Sequence, residues 1–185
     1  MNKSLDKKSF NYAEHDNIKI GVLSDTHCHI NSSVLKHLSD CDVILHAGDI
    51  GSIEVIKQLN EISDNVVSVC GNNDNAGQWT PTEHHDLQQI PQIAEVKLPG
   101  GIIAITHGDE HYSDYETWHE KLRTNFPMAK AVVYGHSHRL VCDQDADPWI
   151  LNPGPAGETR IQKHGVSCLL ITANKVEWKV SEFRA

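Results

Sequence analysis

The sequence predicts an α/β fold in which two mixed β-sheets pack together with helices outside, and three observations carry that prediction. A short β-branched apolar run, a polar turn and a helical pattern follow one another three times between residues 18 and 72, the order of strand-and-helix units around a parallel core. The turn PGG at residues 99–101 separates two apolar runs and marks a β-hairpin, so antiparallel pairing joins the parallel core. Two further β-rich runs near the C-terminus supply closing strands.

In chain order, residues 18–24 (IKIGVLS) form a continuous apolar strand, and the polar turn DTHCHINSS leads into a helix around residues 34–38. Residues 43–47 (VILHA) repeat the pattern before Gly48 and Asp49, with a helix near residues 53–59, and residues 66–70 do so before Gly71 and Asn72. Residues 77–91 turn polar and read as an exposed loop or short helix, placed where it could cover a site. The hairpin of residues 93–98 and 102–106 ends at Thr106-His107-Gly108. A helix over residues 114–123, a strand over residues 131–134 ending at GHSH, and closing strands at residues 166–172 and 176–180 complete the set.

A chain of 185 residues and 20.6 kDa supports one domain with a sizeable core, taken here as residues 18–185 behind a polar extension of residues 1–17. That extension holds Lys3, Lys7 and Lys8, reads as disordered, and lacks the apolar core of a secretory signal. No apolar run approaches the roughly 18 residues of a membrane span, so the expected address is the cytoplasm. Five cysteines (Cys28, Cys41, Cys70, Cys142, Cys168) without a CxxC pair argue against a disulfide framework or a thiolate zinc site. A formal net charge of −9 disfavours a nucleic-acid backbone or anionic membrane as partner, and no basic stripe interleaved with aromatics suggests a nuclease.

Oxygen and imidazole donors recur where the apolar runs end: Asp25 and His27, Asp49, Asn72, His107, His136 and His138. Seven such donors are enough to hold two metal ions. In extended backbone, residues two apart project to the same side, which would let Asp25 and His27, and again His136 and His138, serve one ion each. Each piece has a plainer alternative: polar loops for the two pairs, a helix N-cap for Asp49, and a simple turn for Gly71-Asn72-Asn73-Asp74.

Taken together, SDTH, HAGD, GNND, THG and GHSH, in that order, resemble the calcineurin-like metallophosphoesterases, and most closely their small single-domain, YfcE-like phosphodiesterase branch. The NPG of residues 152–154 resembles the loop after that family's last metal histidines, so the likeness runs from residue 18 to the C-terminus. The resemblance implies an αββα sandwich. It also implies one metal held by Asp25, His27, Asp49 and His138 and a second by Asp49, Asn72, His107 and His136, with Asp49 bridging and with Asp49, Asn72 and His107 central to catalysis. Such a donor set suits manganese, nickel, iron, cobalt or zinc without selecting among them, and manganese is taken as the first candidate. The implied activity is phosphodiester hydrolysis by in-line attack of a hydroxide held between two divalent ions, on a small phosphoester substrate; a homo-oligomer is left open.

The chain departs from the family pattern in places. Asn73 stands where many larger members place a histidine that aids the leaving group, Cys28 replaces a glycine, and residues 155–159 follow a different course. Asn73, Asp74, His29 and Cys28 are therefore candidates for supporting or substrate-contacting roles, with Asp74 expected to orient Asn72 or a metal-bound water. The THCH run also suits amidohydrolase-type barrels, which need a longer chain. Trp79, Trp118 and Trp149 are read as core or as a substrate mouth; His46 as a packed strand residue; and His15, His37, His84, His85, His111, His119 and His164 as surface. Two other activities compete: a phosphomonoesterase, and a metal-stabilised interaction scaffold such as the retromer subunit of this fold. The intact donor set favours catalysis.

Overall fold

A computed structural model describes residues 6–109, 115–157 and 165–185; Lys3, His111, Asp114, Thr159 and His164 lie outside them. One sheet runs in the order β11(Trp178–Arg184), β10(Ser167–Asn174), β2(Asn17–Leu23), β3(Val43–His46), β4(Val66–Ser68). The other runs β1(Lys7–Asn11), β5(Ile93–Leu98), β6(Gly101–Thr106), β7(Ala131–Val133), β9(Trp149–Pro153), β8(Leu140–Asp143). Both sheets are mixed: β2, β3 and β4 are mutually parallel, as are β6, β7 and β9, while β10 and the β5–β6 hairpin pair antiparallel.

The sandwich follows from how each strand spends its apolar residues. Ile20, Val22 and Leu45 of one sheet and Val96, Ile103, Val133 and Leu151 of the other meet in one buried cluster between the sheets. The opposite face of the first sheet, through Leu23, Ile44 and Cys168, takes Val34 and Leu38 of α1(Ser32–Leu38) and Val55 and Leu59 of α2(Ile53–Asn60). The opposite face of the second, through Ala104, Val132 and Ile150, takes Trp118 and Leu122 of α4(Tyr115–Asn125). The layers are therefore helix, sheet, sheet, helix. Among the described residues no helix is long and apolar enough to cross a membrane.

Several sequence expectations change. The extension holds a strand: β1 pairs in parallel with β5, Lys7 bridges Glu95 at 2.7 Å, and Lys8 reaches the Gln89 carbonyl. Backbone pairing at a sheet edge makes a strand of KKSFN, whose side chains show no apolar alternation. Strands β8 and β9 also exceed the expectation, because the polar run between them hides a hairpin. Residues 77–91 do carry a 3₁₀ turn at Pro81–Glu83 and a short α3(His84–Leu87). Yet Trp79 is buried in the α1/α2 core and donates to Asp74 at 3.0 Å, so this segment is anchored by packing. Trp118 and Trp149 are likewise packing residues, Trp149 standing edge-on to Trp178.

Candidate metal centre

All the expected donors lie just past the C-terminal ends of parallel strands. Asp25 and His27 follow β2, Asp49 follows β3, and Asn72 follows β4 on one sheet; His107 follows β6, and His136 and His138 follow β7 on the other. The two rims are tied across the gap between the sheets. His107 Nδ1 meets the Ala47 carbonyl at 2.8 Å, and the His136 amide donates to Asp25 Oδ1 at 3.2 Å. Asn152, buried at the end of β9, donates to the Gly135 carbonyl at 2.7 Å and to Ser137 Oγ at 3.0 Å, which holds the GHSH turn.

The pairs do not converge through extended backbone, as the two-residue spacing suggested. Asp25 (φ 53°), His27 (φ 46°), Asp49 (φ 55°), His136 (φ 63°) and His138 (φ 52°) all adopt the left-handed conformation, as does Cys28 (φ 75°). Asp, Asn and His tolerate that region better than most residues, but each such position is strained and persists only where surroundings enforce it. Here the enforcement is visible: Asp25 N–H donates to the Gly48 carbonyl and His27 N–H to the Asp49 carbonyl, both at 3.0 Å. Gly48 itself sits at φ 92°, which only glycine adopts freely.

The donors form two groups within 4.8 Å: Asp25, His27 and His138, and Asp25, Asp49 and His107. His27 Nε2 and His138 Nε2 lie 3.3 Å apart. Asp49 Oδ2 stands 3.8 Å from His27 Nε2 and 3.4 Å from His107 Nε2, facing both groups. Asn72 Oδ1 and His136 Nδ1 meet at 2.9 Å, and the His107 and His136 rings stand edge-on with centroids 5.3 Å apart. All seven expected donors are thus neighbours, although Asp25 rather than Asp49 is common to the two groups.

Two buried atoms of the donor groups suit a cation. Asp25 Oδ2 and His107 Nε2 have no hydrogen-bond partner among the described residues, an arrangement that costs about 1–3 kcal/mol each unless something else fills it. Asp49 is 3.4 Å from His107 Nε2, near enough for charge attraction and too far for a good hydrogen bond. With Nδ1–H committed to Ala47, neutral His107 offers its Nε2 lone pair to the centre. The residues therefore fit a divalent cation.

Charge follows the same geometry. Burial opposes ionisation of Asp49, but His107 beside it and the Asn73 donors hold its carboxyl well below the usual carboxylate range. Burial likewise opposes the His107 cation, yet Asp49 and Asp25 lift its pKa to about 9 without metal. A cation entering at Nε2 must displace that proton.

The supporting residues act differently from expectation. Asp49 does not cap a helix: Ser52 is the N-cap of α2, and Glu83 accepts from the Ile53 amide at 3.0 Å. Asp74 makes no hydrogen bond to the Asn72 side chain among the described residues. Its Oδ2 accepts from the Ile50 and Gly71 amides and its Oδ1 from the Gly51 amide and Trp79, all at 2.9–3.0 Å, so one buried carboxylate staples the Asp49 turn to the Asn72 turn. Asn73 donates to Asp49 from its backbone at 2.9 Å and its side chain at 2.7 Å. Cys28 and His29 are exposed. His46 is buried, as expected, with Nδ1 accepting from the Gly48 amide and Nε2 against Thr26 Oγ1 at 2.9 Å, and burial holds its pKa down to about 4. One surface assignment fails: His119 is half-buried with Nε2 2.9 Å from the Tyr134 hydroxyl, whereas His84 stays part-exposed while its Nε2 reaches the Ala76 and Trp79 carbonyls. Sequence reasoning passed over Asn152 except as part of NPG, and its one signal was a polar residue closing an apolar run.

The model of the calcineurin-like phosphoesterase superfamily domain matches residues 18–175. The chain belongs to that superfamily. The chain is 29% identical over 144 residues, 74% of its own length and 83% of the relative, to a phosphodiesterase of Methanocaldococcus jannaschii. It is 26% identical over 166 residues, 87% of its chain and 90% of the relative, to a probable metallophosphoesterase of Methanothermobacter thermautotrophicus. Among solved structures, Vps29 of Entamoeba histolytica shares the fold with a TM-score of 0.74 at 20% identity, over 90% of this chain and 92% of that one. A novel archaeal phosphodiesterase does so with a TM-score of 0.63 at 22% identity, over 90% and 100%. The fold expectation and the family resemblance both hold.

Proposed function

We propose that this chain is a phosphodiesterase that works with two divalent metal ions, manganese the first candidate, on a small phosphoester. The observation that carries the reading is the pair of donor groups meeting at Asp25, with Asp49 Oδ2 facing both and ligand atoms left unsatisfied in a buried site. The phosphodiesterase relative of M. jannaschii supports the choice of ester. In the assignment we favour, Asp25, His27, Asp49 and His138 hold one ion, and Asp49, Asn72, His107 and His136 the other. When bound, the ions would supply an activated water and neutralise charge on the phosphoryl oxygens.

The chain's own residues set the rest of the chemistry. In hydrolysis, the water oxygen bonds to phosphorus, the phosphorus–oxygen bond to one alcohol breaks, and a monoester and an alcohol leave. Asn73 is committed to both Asp49 oxygens and has no proton to give. Esters whose leaving group departs readily as an anion, such as phenols, are therefore the preferred substrates. Asp49 stays ionised throughout the neutral range, and His107 gives up a proton on metal loading.

The test is hydrolysis of bis(p-nitrophenyl) phosphate and p-nitrophenyl phosphate by metal-stripped protein with Mn²⁺, Ni²⁺, Zn²⁺ or Mg²⁺ restored, beside His136→Ala. Metal-dependent diester cleavage lost in the variant is the expected result. Faster monoester cleavage makes the protein a phosphomonoesterase. Two bound ions without turnover favour the scaffold reading, which the Vps29 fold likeness keeps in view.

A further inference from the structure

The ring of His136 needs more than its backbone to meet an ion. The left-handed conformation (φ 63°) aims the side chain at the centre, but the torsion that turns an imidazole is soft and leaves the ring plane open. A ring nitrogen offers its lone pair in that plane, so a ring turned out of position presents carbon instead. Two rings stand nearly perpendicular to His136: His107, at 79° with centroids 5.3 Å apart, and Trp118, at 83° and 6.2 Å. Both lie within the range of favourable edge-to-face contacts. His107 is itself a donor, whereas Trp118 comes from the helix layer.

Fully buried, Trp118 reaches both turns that carry these imidazoles. Its indole lies so close to Gly108, the residue after His107, that a Cβ built there would sit 3.2 Å from Cζ2 and 3.5 Å from Nε1. Tyr134, two residues before His136, stands edge-on to the indole with centroids 4.8 Å apart. Helix α4 is itself fastened to the second sheet: His119 Nε2 lies 2.9 Å from the Tyr134 hydroxyl, and Arg123 donates to Asp143 of β8 at 2.6 Å and to the Pro148 carbonyl at 3.1 Å. The indole is thus a wedge of fixed height between the His107 and His136 turns.

We propose that Trp118 is a positioning residue for the second ion, acting through His136 and the His107 turn. The inference rests on the two-ion reading. His136 Nδ1 faces Asn72 Oδ1 at 2.9 Å, the orientation in which both can reach one cation, and the wedge keeps the ring there. The first ion's donors are held differently. Asp25 and His27 stand on the rim of the other sheet, and His138 Nε2 lies against Asp25 Oδ1 at 3.3 Å. Loss of the indole should therefore weaken one ion and spare the other.

Calorimetric titration of the metal-free protein with Mn²⁺ tests this, with His27→Ala and His136→Ala showing which binding step belongs to which donor group. Trp118→Leu should weaken the His136 step by about 10–100-fold, the usual effect of losing a partner that orients a ligand, and leave the His27 step within about threefold. Trp118→Phe, close to leucine in volume but still aromatic, should recover most of the loss. Leu122→Ala empties a fully buried site in the same α4 core and so costs stability, yet both steps should stay as in wild type. If Trp118→Leu does not fold, fluorine NMR spectra of wild type carrying 5-fluorotryptophan and titrated with Zn²⁺ take its place: the Trp118 signal, assigned by its absence from Trp118→Phe, should move with the His136 step. No loss or equal loss at the two steps, the same selective loss in Leu122→Ala, no rescue by Trp118→Phe, or a Trp118 signal that stays still overturns the wedge and leaves the two-ion reading standing. A wild type that binds a single ion overturns both.

Discussion

Replacing Asp74 with Asn tests whether the donor loops are held by one buried carboxylate. The side chain is 8% exposed and accepts four N–H bonds, two on each oxygen, from Ile50, Gly51, Gly71 and Trp79. Asn keeps the shape and one oxygen, so two donors remain satisfied and two face an NH₂ group. Hydrogen bonds to charged groups contribute about 1.5–3 kcal/mol each, so losing two costs about 3–6 kcal/mol. For a chain of this size each kcal/mol moves the midpoint by roughly 2–4 °C, which makes the expected fall in Tm on the order of 10–20 °C. The Asp49 and Asn72 turns would also lose their common anchor, with metal affinity falling about 10–100-fold. Thermal and urea unfolding of the metal-free proteins measures the first effect, and a competition titration with a chromogenic chelator the second. A variant within about 1 kcal/mol of wild type, binding metal normally, would refute the staple.

Three further outcomes follow from the same geometry. His46 has a folded pKa near 4, below its unfolded value of 6.5, so the buried neutral ring adds stability above pH 6.5 that is lost as pH falls toward 4; the shift corresponds to about 3 kcal/mol, and urea midpoints of metal-free wild type against His46→Gln should converge across that window. Asp49→Asn removes the carboxylate that faces both donor groups, so turnover should fall to background and bound metal, counted by elemental analysis, should drop. Gly71→Ala would drive a methyl into the Asp49 carboxylate and amide, with at least tenfold weaker metal binding expected by calorimetry and a secondary-structure spectrum that stays native.

The sandwich was legible because β2, β3 and β6 are continuous apolar runs, long enough to declare themselves without context. Strand β1 was not, because a polar edge strand owes its conformation to β5 and Lys7–Glu95, contacts more than 80 residues away in sequence. The donors were legible through their motifs, but the reason given for their convergence was mistaken. Two-residue spacing suggested extended backbone, whereas left-handed turns at Asp25, His27, His136 and His138 aim the side chains. The work of Asp74 and Asn73 was hidden for a different reason. Both act on partners 23–24 residues away, several of them backbone amides, and an amide leaves no signature in the sequence.

The left-handed turns also bear on which part of the molecule opens first. Five donor positions hold a conformation that costs on the order of 1–2 kcal/mol per residue, and they hold it only while both sheet rims are in place. The sandwich beneath them has no such burden. Amide hydrogen exchange in the metal-free protein should therefore find the rim amides of Asp25, His27 and His136 exchanging through local openings, while those of β2 and β10 exchange only with global unfolding. A bound cation would bring the two rates together, making the rim as slow as the core and turning the least protected part of the molecule into a gauge of its metal content.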